Sequence, residues 1–332
     1  MKSKDQPGEV EESHAFVVLN PVAGTSDPER LERRIAKRFK SAGWTIEVHR
    51  TQEDERVSEI VNGAIENQPD MVVAVGGDGT VSQVAEGLVG TDVPLGLIPA
   101  GTGNVLARDL DIPLMSNRSI RLLVGPHKLR KIDALRMGGR YFFLNISIGV
   151  SAAAMHDTDR DEKRQFGFLA YLWTGLRKLL GVQPAHFTLE VDGRTHRADA
   201  SDVIIANSGI IGFPALRLSE QISMDDGKMG ICIIRARTPW DYVRLLGDAL
   251  LGRPQRDPRY HCLTAREQVT VSSDPPLPVQ GDGDPIGEGS LEVAIVPQVL
   301  QVIVGKPQPS IRINLPSGEE IASAISPNQN EE

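Results

Sequence analysis

Apolar residues follow two patterns along the chain, and the change falls near residue 130. Before it, short apolar runs alternate with helical spacings. Phe16 to Leu19 is a run ending at Asn20-Pro21. Asp27-Pro28 offers a helix start, Leu31, Ile35 and Phe39 recur at four-residue intervals, and Gly43 closes the pattern. Thr45 to His49 predicts a second strand, and Val57, Ile60, Val61 and Ala64 a second helix. Met71 to Val75 is apolar throughout, as suits a parallel strand covered on both faces. A helix over Val81 to Leu88, a strand over Leu95 to Ile98 and a helix through Ala107 follow. Such alternation predicts a parallel sheet with helices on both sides.

After residue 130 strands dominate. Tyr141 to Ile148, Phe187 to Val191, Val203 to Ala206, Ile231 to Arg235, Gln268 to Val271, Leu291 to Val296 and Leu300 to Val304 are strand-like, and Asp192-Gly193 and Asp226-Gly227 read as turns. One helical stretch, Phe166 to Leu180, interrupts them. The expected fold is an α/β N-terminal domain with a parallel sheet (14–130), then a mostly antiparallel, β-sandwich-like C-terminal domain (131–305). The polar ends, 1–13 and 306–332, read as loose tails.

A chain of 332 residues is ample for two domains. Its net charge of −8 speaks against a nucleic-acid partner. No run approaches the roughly 20 apolar residues of a membrane span, and the N-terminus lacks a secretory apolar core. Cys232 and Cys262 have no metal-ligand spacing, which suggests a reducing compartment. None of the seven histidines pairs with Cys or carboxylates at metal-ligand spacing. Two apolar stripes have helical spacing: Phe166 to Leu180, beside Arg177 and Lys178, and Trp240, Tyr242, Val243, Leu245 and Leu246. Each suits packing against the β domain or contact with a membrane.

The candidate chemistry lies in the turns. Gly76-Gly77-Asp78-Gly79-Thr80 follows the buried strand and opens a helix, where glycine amides and the helix N-terminus can receive an anion. Asp78 would repel a phosphate unless Mg²⁺ lay between them. Asn20-Pro21-Val22-Ala23-Gly24 and Pro99-Ala100-Gly101-Thr102-Gly103-Asn104 are further strand exits containing glycine. Neither the P-loop nor the Rossmann glycine pattern is present.

Together these three turns resemble the diacylglycerol kinase catalytic region, with the bacterial soluble lipid kinases matching in size, over about residues 14 to 305. The resemblance implies ATP in a cleft between two domains, with Mg²⁺. By motif it implies Asn20, Thr51, Gly76, Gly77, Asp78, Gly79 and Thr80 as nucleotide-binding, with Gly101, Thr102, Gly103 and Asn104 lining the same cleft. Gln280-Gly281-Asp282-Gly283-Asp284 matches a segment whose first aspartate, here Asp282, is read as the general base, with Asp284 in place of a glutamate. Met224-Asp225-Asp226-Gly227 matches a metal-holding segment, which makes Asp226 and the Met224 carbonyl candidate ligands beside Asp78 and Asp284. For both segments a plain hairpin turn is the alternative. Val105 and Gln83 stand where many family members carry carboxylates, so a thinner metal network is expected. The family's last strand usually returns to the first domain, which would make the boundary discontinuous.

The expected activity is ATP-dependent phosphorylation of a lipid hydroxyl, catalysed through Asp78 and Asp282, by a cytoplasmic protein that visits the membrane surface. Self-association into a homodimer is left open. The alternatives are an NAD kinase-like enzyme with a soluble acceptor and a nucleotide-binding regulator that has lost catalysis.

Overall fold

The computed structural model describes residues 13–24, 27–150, 184–212, 216–251 and 254–306. The stripe from Phe166 to Leu180 lies outside the described residues.

Four parallel strands begin the chain: β1 (Ser13–Leu19), β2 (Trp44–Arg50), β3 (Met71–Gly76) and β4 (Leu95–Pro99), in the order β2-β1-β3-β4. Alternate residues feed opposite faces. Ala15, Val17, Val73 and Val75 pack with α1 (Pro28–Ser41) and α5 (Ser116–Leu123) through Leu31, Ile35, Phe39 and Ile120. Phe16, Val18, Val72 and Ala74 pack with α2 (Val57–Ile65), α3 (Asp78–Leu88) and α4 (Val105–Asp109). Burial on both sides explains the unbroken apolar run of β3, all six of whose residues are buried. Asp27 caps α1, its side chain accepting from the amides of Glu29 and Arg30, with Pro28 opening the helix.

The sheet does not stop at β4. The long strand β18 (Leu291–Val304) pairs in parallel with β4 and antiparallel with β5 (Lys128–Met137), which continues to β6 (Arg140–Phe142). Its first half extends the sheet through β15 (Gln268–Asp274), β8 (Ala185–Val191) and β9 (Arg194–Ala200). A second sheet is antiparallel, in the order β14-β13-β10-β7-β16-β17. Its members are β7 (Asn145–Gly149), β10 (Asp202–Ala206), β13 (Met229–Ile234), β14 (Tyr260–Ala265), β16 (Pro278–Gly281) and β17 (Asp284–Glu288). Phe187, Leu189 and Val271 of one sheet meet Ile148, Val203 and Ile231 of the other in a shared core, giving a sandwich. A short hairpin, β11 (Ile210–Ile211) with β12 (Leu216–Arg217), lies apart from both sheets.

Two sequence expectations change in detail. Leu291 to Val304 is one strand with a register shift between Val296 and Leu300. Gln298 there has φ 53°, and its amide donates to buried Asp133. The run from Tyr141 to Ile148 is two strands in different sheets, because the amides of Phe143, Leu144 and Asn145 turn to the Asp282 carboxylate. The cysteines also differ from expectation: Cys232 and Cys262 are directly opposed in the β13–β14 pairing and form a disulfide. A separation of 30 residues hid a pair that the sheet register brings together.

Candidate active site

Three turns meet at the carboxyl ends of β1, β3 and β4. In the first, the Asn20 amide donates to the Val75 carbonyl at 2.9 Å, and its side chain donates to the Thr80 hydroxyl at 2.9 Å. Asn20 therefore ties the exit of β1 to the first turn of α3. Thr51, just past β2, donates its amide to Leu19 at 2.9 Å and joins the same rim.

The other two turns pack backbone against backbone. A Cβ on Gly101 would lie 2.5 Å from the Gly77 Cα, and one on Gly103 would lie 2.6 Å from an Asp78 carboxylate oxygen. No side chain fits there, which is why these turns need glycine. Asn104 closes the second turn on itself, accepting from the Gly101 amide at 3.1 Å and donating to the Gly101 carbonyl at 2.7 Å. Helix α3 starts from Gly77 without a side-chain cap, so its first amides remain for a ligand.

A cleft of about 680 Å³ opens over these turns. Asn20, Thr51, Gly77, Gly79, Thr80 and Gly101 line it, so six of the expected nucleotide residues share one surface. Gly76, Asp78, Thr102, Gly103 and Asn104 are not part of the lining. Gln83 lines the cleft, as do Glu53, Asp54 and Glu55 from the β2–α2 loop. Asp284 reaches it from the second sheet. The acidic loop was visible as a charge run after Thr51, but nothing in its spacing tied it to the glycine turns.

Asp78 accepts from the Val105 amide at 2.6 Å and so caps α4. Burial pushes its carboxyl above the usual range, against the pull of the α4 amides. Val105 itself is buried in the apolar cluster beneath the turn. Asp282 joins the two halves of the molecule. Its carboxylate accepts from the Ser82 hydroxyl of α3 at 2.8 Å and from the amides of Phe143, Leu144 and Asn145 at 2.9, 2.8 and 3.1 Å. Burial raises this carboxyl too, with the four donors opposing. Ser82 carries no signal of this role in the sequence. The three amides carry no side-chain signal at all.

Met224 and Asp226 lie elsewhere, on the turn before β13. The Met224 carbonyl accepts from the Asp133 amide at 2.6 Å, and Asp226 pairs with Lys228 at 3.2 Å. Asp133 accepts from Gly227 and Gln298, pinning this turn to the bulge of β18. Among the described residues no three carboxylates, histidines or cysteines converge to cage a metal. The donor set instead suits an ion that arrives with a phosphate ligand and needs only one or two protein carboxylates.

A parallel α/β domain with glycine-built strand exits, set against an antiparallel sandwich, defines the structural class. Residues 14–137 match the diacylglycerol kinase catalytic domain, and residues 145–304 match the YegS C-terminal NAD kinase beta sandwich-like domain. A "Probable lipid kinase YegS-like" of Pseudomonas putida is 30% identical over 86% of this chain and 90% of its own. The "Diacylglycerol kinase" of Bacillus subtilis is 26% identical, over 81% of this chain and 89% of its own. A solved diacylglycerol kinase structure from Bacillus anthracis superposes with a TM-score of 0.69 at 17% identity, covering 89% of this chain and 97% of that one, and so shares the fold. The chain belongs to the diacylglycerol kinase family of lipid kinases.

Proposed function

We propose that the protein transfers the γ-phosphoryl group of ATP to the hydroxyl of a diacylglycerol-like lipid. The convergence of six motif residues on one cleft, with Asp284 entering from the second sheet, carries this reading. The α3 N-terminus and the Gly77 and Gly79 amides would receive phosphate oxygens, and Asn20 would orient the Thr80 hydroxyl beside them. Mg²⁺ would screen the phosphate charge, held by Asp284 at the cleft wall; an Asp78 ligand, as the family motif implies, would have to turn its carboxylate from the α4 amides.

Asp282 is the proposed general base. Three of its four donors are main-chain amides fixed by the sheet, and the fourth is the Ser82 hydroxyl, which sits on a side-chain rotor. Rotation of Ser82 frees a lone pair for the acceptor hydroxyl. The proton passes to Asp282 as the acceptor oxygen bonds to the γ-phosphorus and ADP leaves. Raised basicity from burial favours that transfer.

Incubation with γ-labelled ATP and separate acceptors tests the reading: diacylglycerol, ceramide and a sphingoid base in mixed micelles, and NAD in solution. Label in the diacylglycerol product is expected. Label in NAD alone would move the assignment to a soluble acceptor, and ATP binding without any transfer would indicate lost catalysis.

A further inference from the structure

Helix α6 (Pro239–Leu250) covers the outer face of the second sheet, and its other side has no partner among the described residues. Leu245 packs with Ile204, Cys232 and Tyr260, and the Tyr242 hydroxyl donates to Asp202 at 2.7 Å. On the other side Trp240 is 76% exposed, Leu250 58% and Leu251 72%, with Val243 between them also exposed. At the helical repeat these four fall in one stripe, and Gly247 leaves it unobstructed. No described helix is long and apolar enough to cross a membrane.

The charge around this stripe runs against that of the chain. Residues 235–259 hold six arginines and three aspartates, in a protein of net charge −8. Asp241 and Asp257 are both held by Arg259. Arg235, Arg237, Arg244 and Arg256 are exposed.

We propose that α6 docks the protein on an anionic bilayer surface. Trp240, Leu250 and Leu251 would enter the headgroup boundary, and the exposed arginines would meet lipid phosphates. The segment from Phe166 to Leu180 and a second copy of the chain are less suited to cover the stripe. Each would set cation against cation, the first through Arg177 and Lys178 and the second through the same arginines. An anionic lipid surface satisfies the apolar and the basic features together. The inference rests on α6 and does not require the proposed kinase activity.

Cosedimentation of the full chain with vesicles tests it, using phosphatidylcholine alone or mixed equally with phosphatidylglycerol. Binding is expected to the mixed vesicles and to fall steeply with salt. The double variant Trp240→Ser/Leu251→Ser should weaken it by about tenfold or more, and Arg237→Glu/Arg244→Glu should weaken it on mixed vesicles only. These positions are exposed, and circular dichroism melts check that the variants fold. Absence of binding, or equal binding by the Trp240→Ser/Leu251→Ser variant, overturns the proposal, the latter placing the contact on another face. So does a dimer in solution that this variant abolishes, which would make a second copy the occupant. No arm reads catalysis, so failure here stays distinct from failure of the kinase assignment.

Discussion

Replacing Asp282 by asparagine should damage stability and turnover separately. The carboxylate accepts four hydrogen bonds, two at each oxygen. In Asp282→Asn the remaining oxygen keeps the Leu144 and Asn145 amides but loses its charge. Neutral acceptors are worth roughly 1 kcal/mol less per bond than charged ones. The new NH₂ can donate to Ser82, whose hydroxyl reverses, but it faces the Phe143 N–H donor to donor, at about 1–3 kcal/mol for the amide left unmade. Relief from burying a charge offsets part of this, leaving a net loss of about 2–4 kcal/mol. Loss of a positioned base adds a fall in turnover of about 10²–10⁴-fold. Denaturant unfolding reads the first effect, and labelled-phosphate turnover at a temperature where both proteins are folded reads the second. ATP affinity, measured by calorimetry, should change little. Ser82→Ala is the control: it removes one donor, costs about 1 kcal/mol, and should keep turnover within a few-fold. Full turnover in Asp282→Asn would refute the base assignment. Equal loss of turnover in both variants would reduce Asp282 to a bridge between α3 and the second sheet.

Gly101→Val should raise the Kd for ATP by about tenfold or more, since the new side chain starts 2.5 Å from the Gly77 Cα and the turns must separate by a strain of about 1–3 kcal/mol; unchanged calorimetric affinity would contradict the packing account of this turn. The pH profile of the rate and the stability contributed by the buried, raised carboxyls should have opposite slopes. Burial raises the Asp282 carboxyl above its ordinary 3.8, so the base stays protonated to higher pH and kcat climbs only as pH rises through the raised value. Over the same window the folded state binds more protons than the unfolded one at Asp78, Asp133 and Asp282, all raised, so their contribution to stability is present at low pH and lost as pH rises; a rate already flat from about pH 4 would contradict this assignment. Reduction of Cys232–Cys262 should cost about 3–4 kcal/mol in a chain-entropy account of its 30-residue separation, and alkylation of both thiols without prior reductant would show that no such bond forms.

The parallel half of the fold was legible because β1, β3 and β4 are apolar, buried runs and each glycine exit sits at a strand end. The glycine exits marked the two glycine turns and Asn20, whereas Thr51 joined them only through the family resemblance; Asn20, Thr51, Gly77 and Gly101 line one cleft. Pattern failed where a residue's role depends on a distant partner. The break between β6 and β7 is set by Asp282, more than 130 residues away, whose carboxylate draws the intervening amides out of the ladder. The bulge of β18 is likewise fixed by Asp133. Strands β9 and β14 have polar and half-exposed positions that hid them from a search for apolar runs. The disulfide follows from register, which the sequence shows only after strands are paired.

The most direct test of the central claim is a crystal structure with Mg²⁺ and a non-hydrolysable ATP analogue. The phosphates should lie at the α3 N-terminus between Gly77 and Gly101, beside Asn20 and Thr80, with the γ-phosphate turned toward the loop carrying Asp282 and Asp284. Nucleotide bound away from these turns, or a γ-phosphate turned away from that loop, would contradict the account.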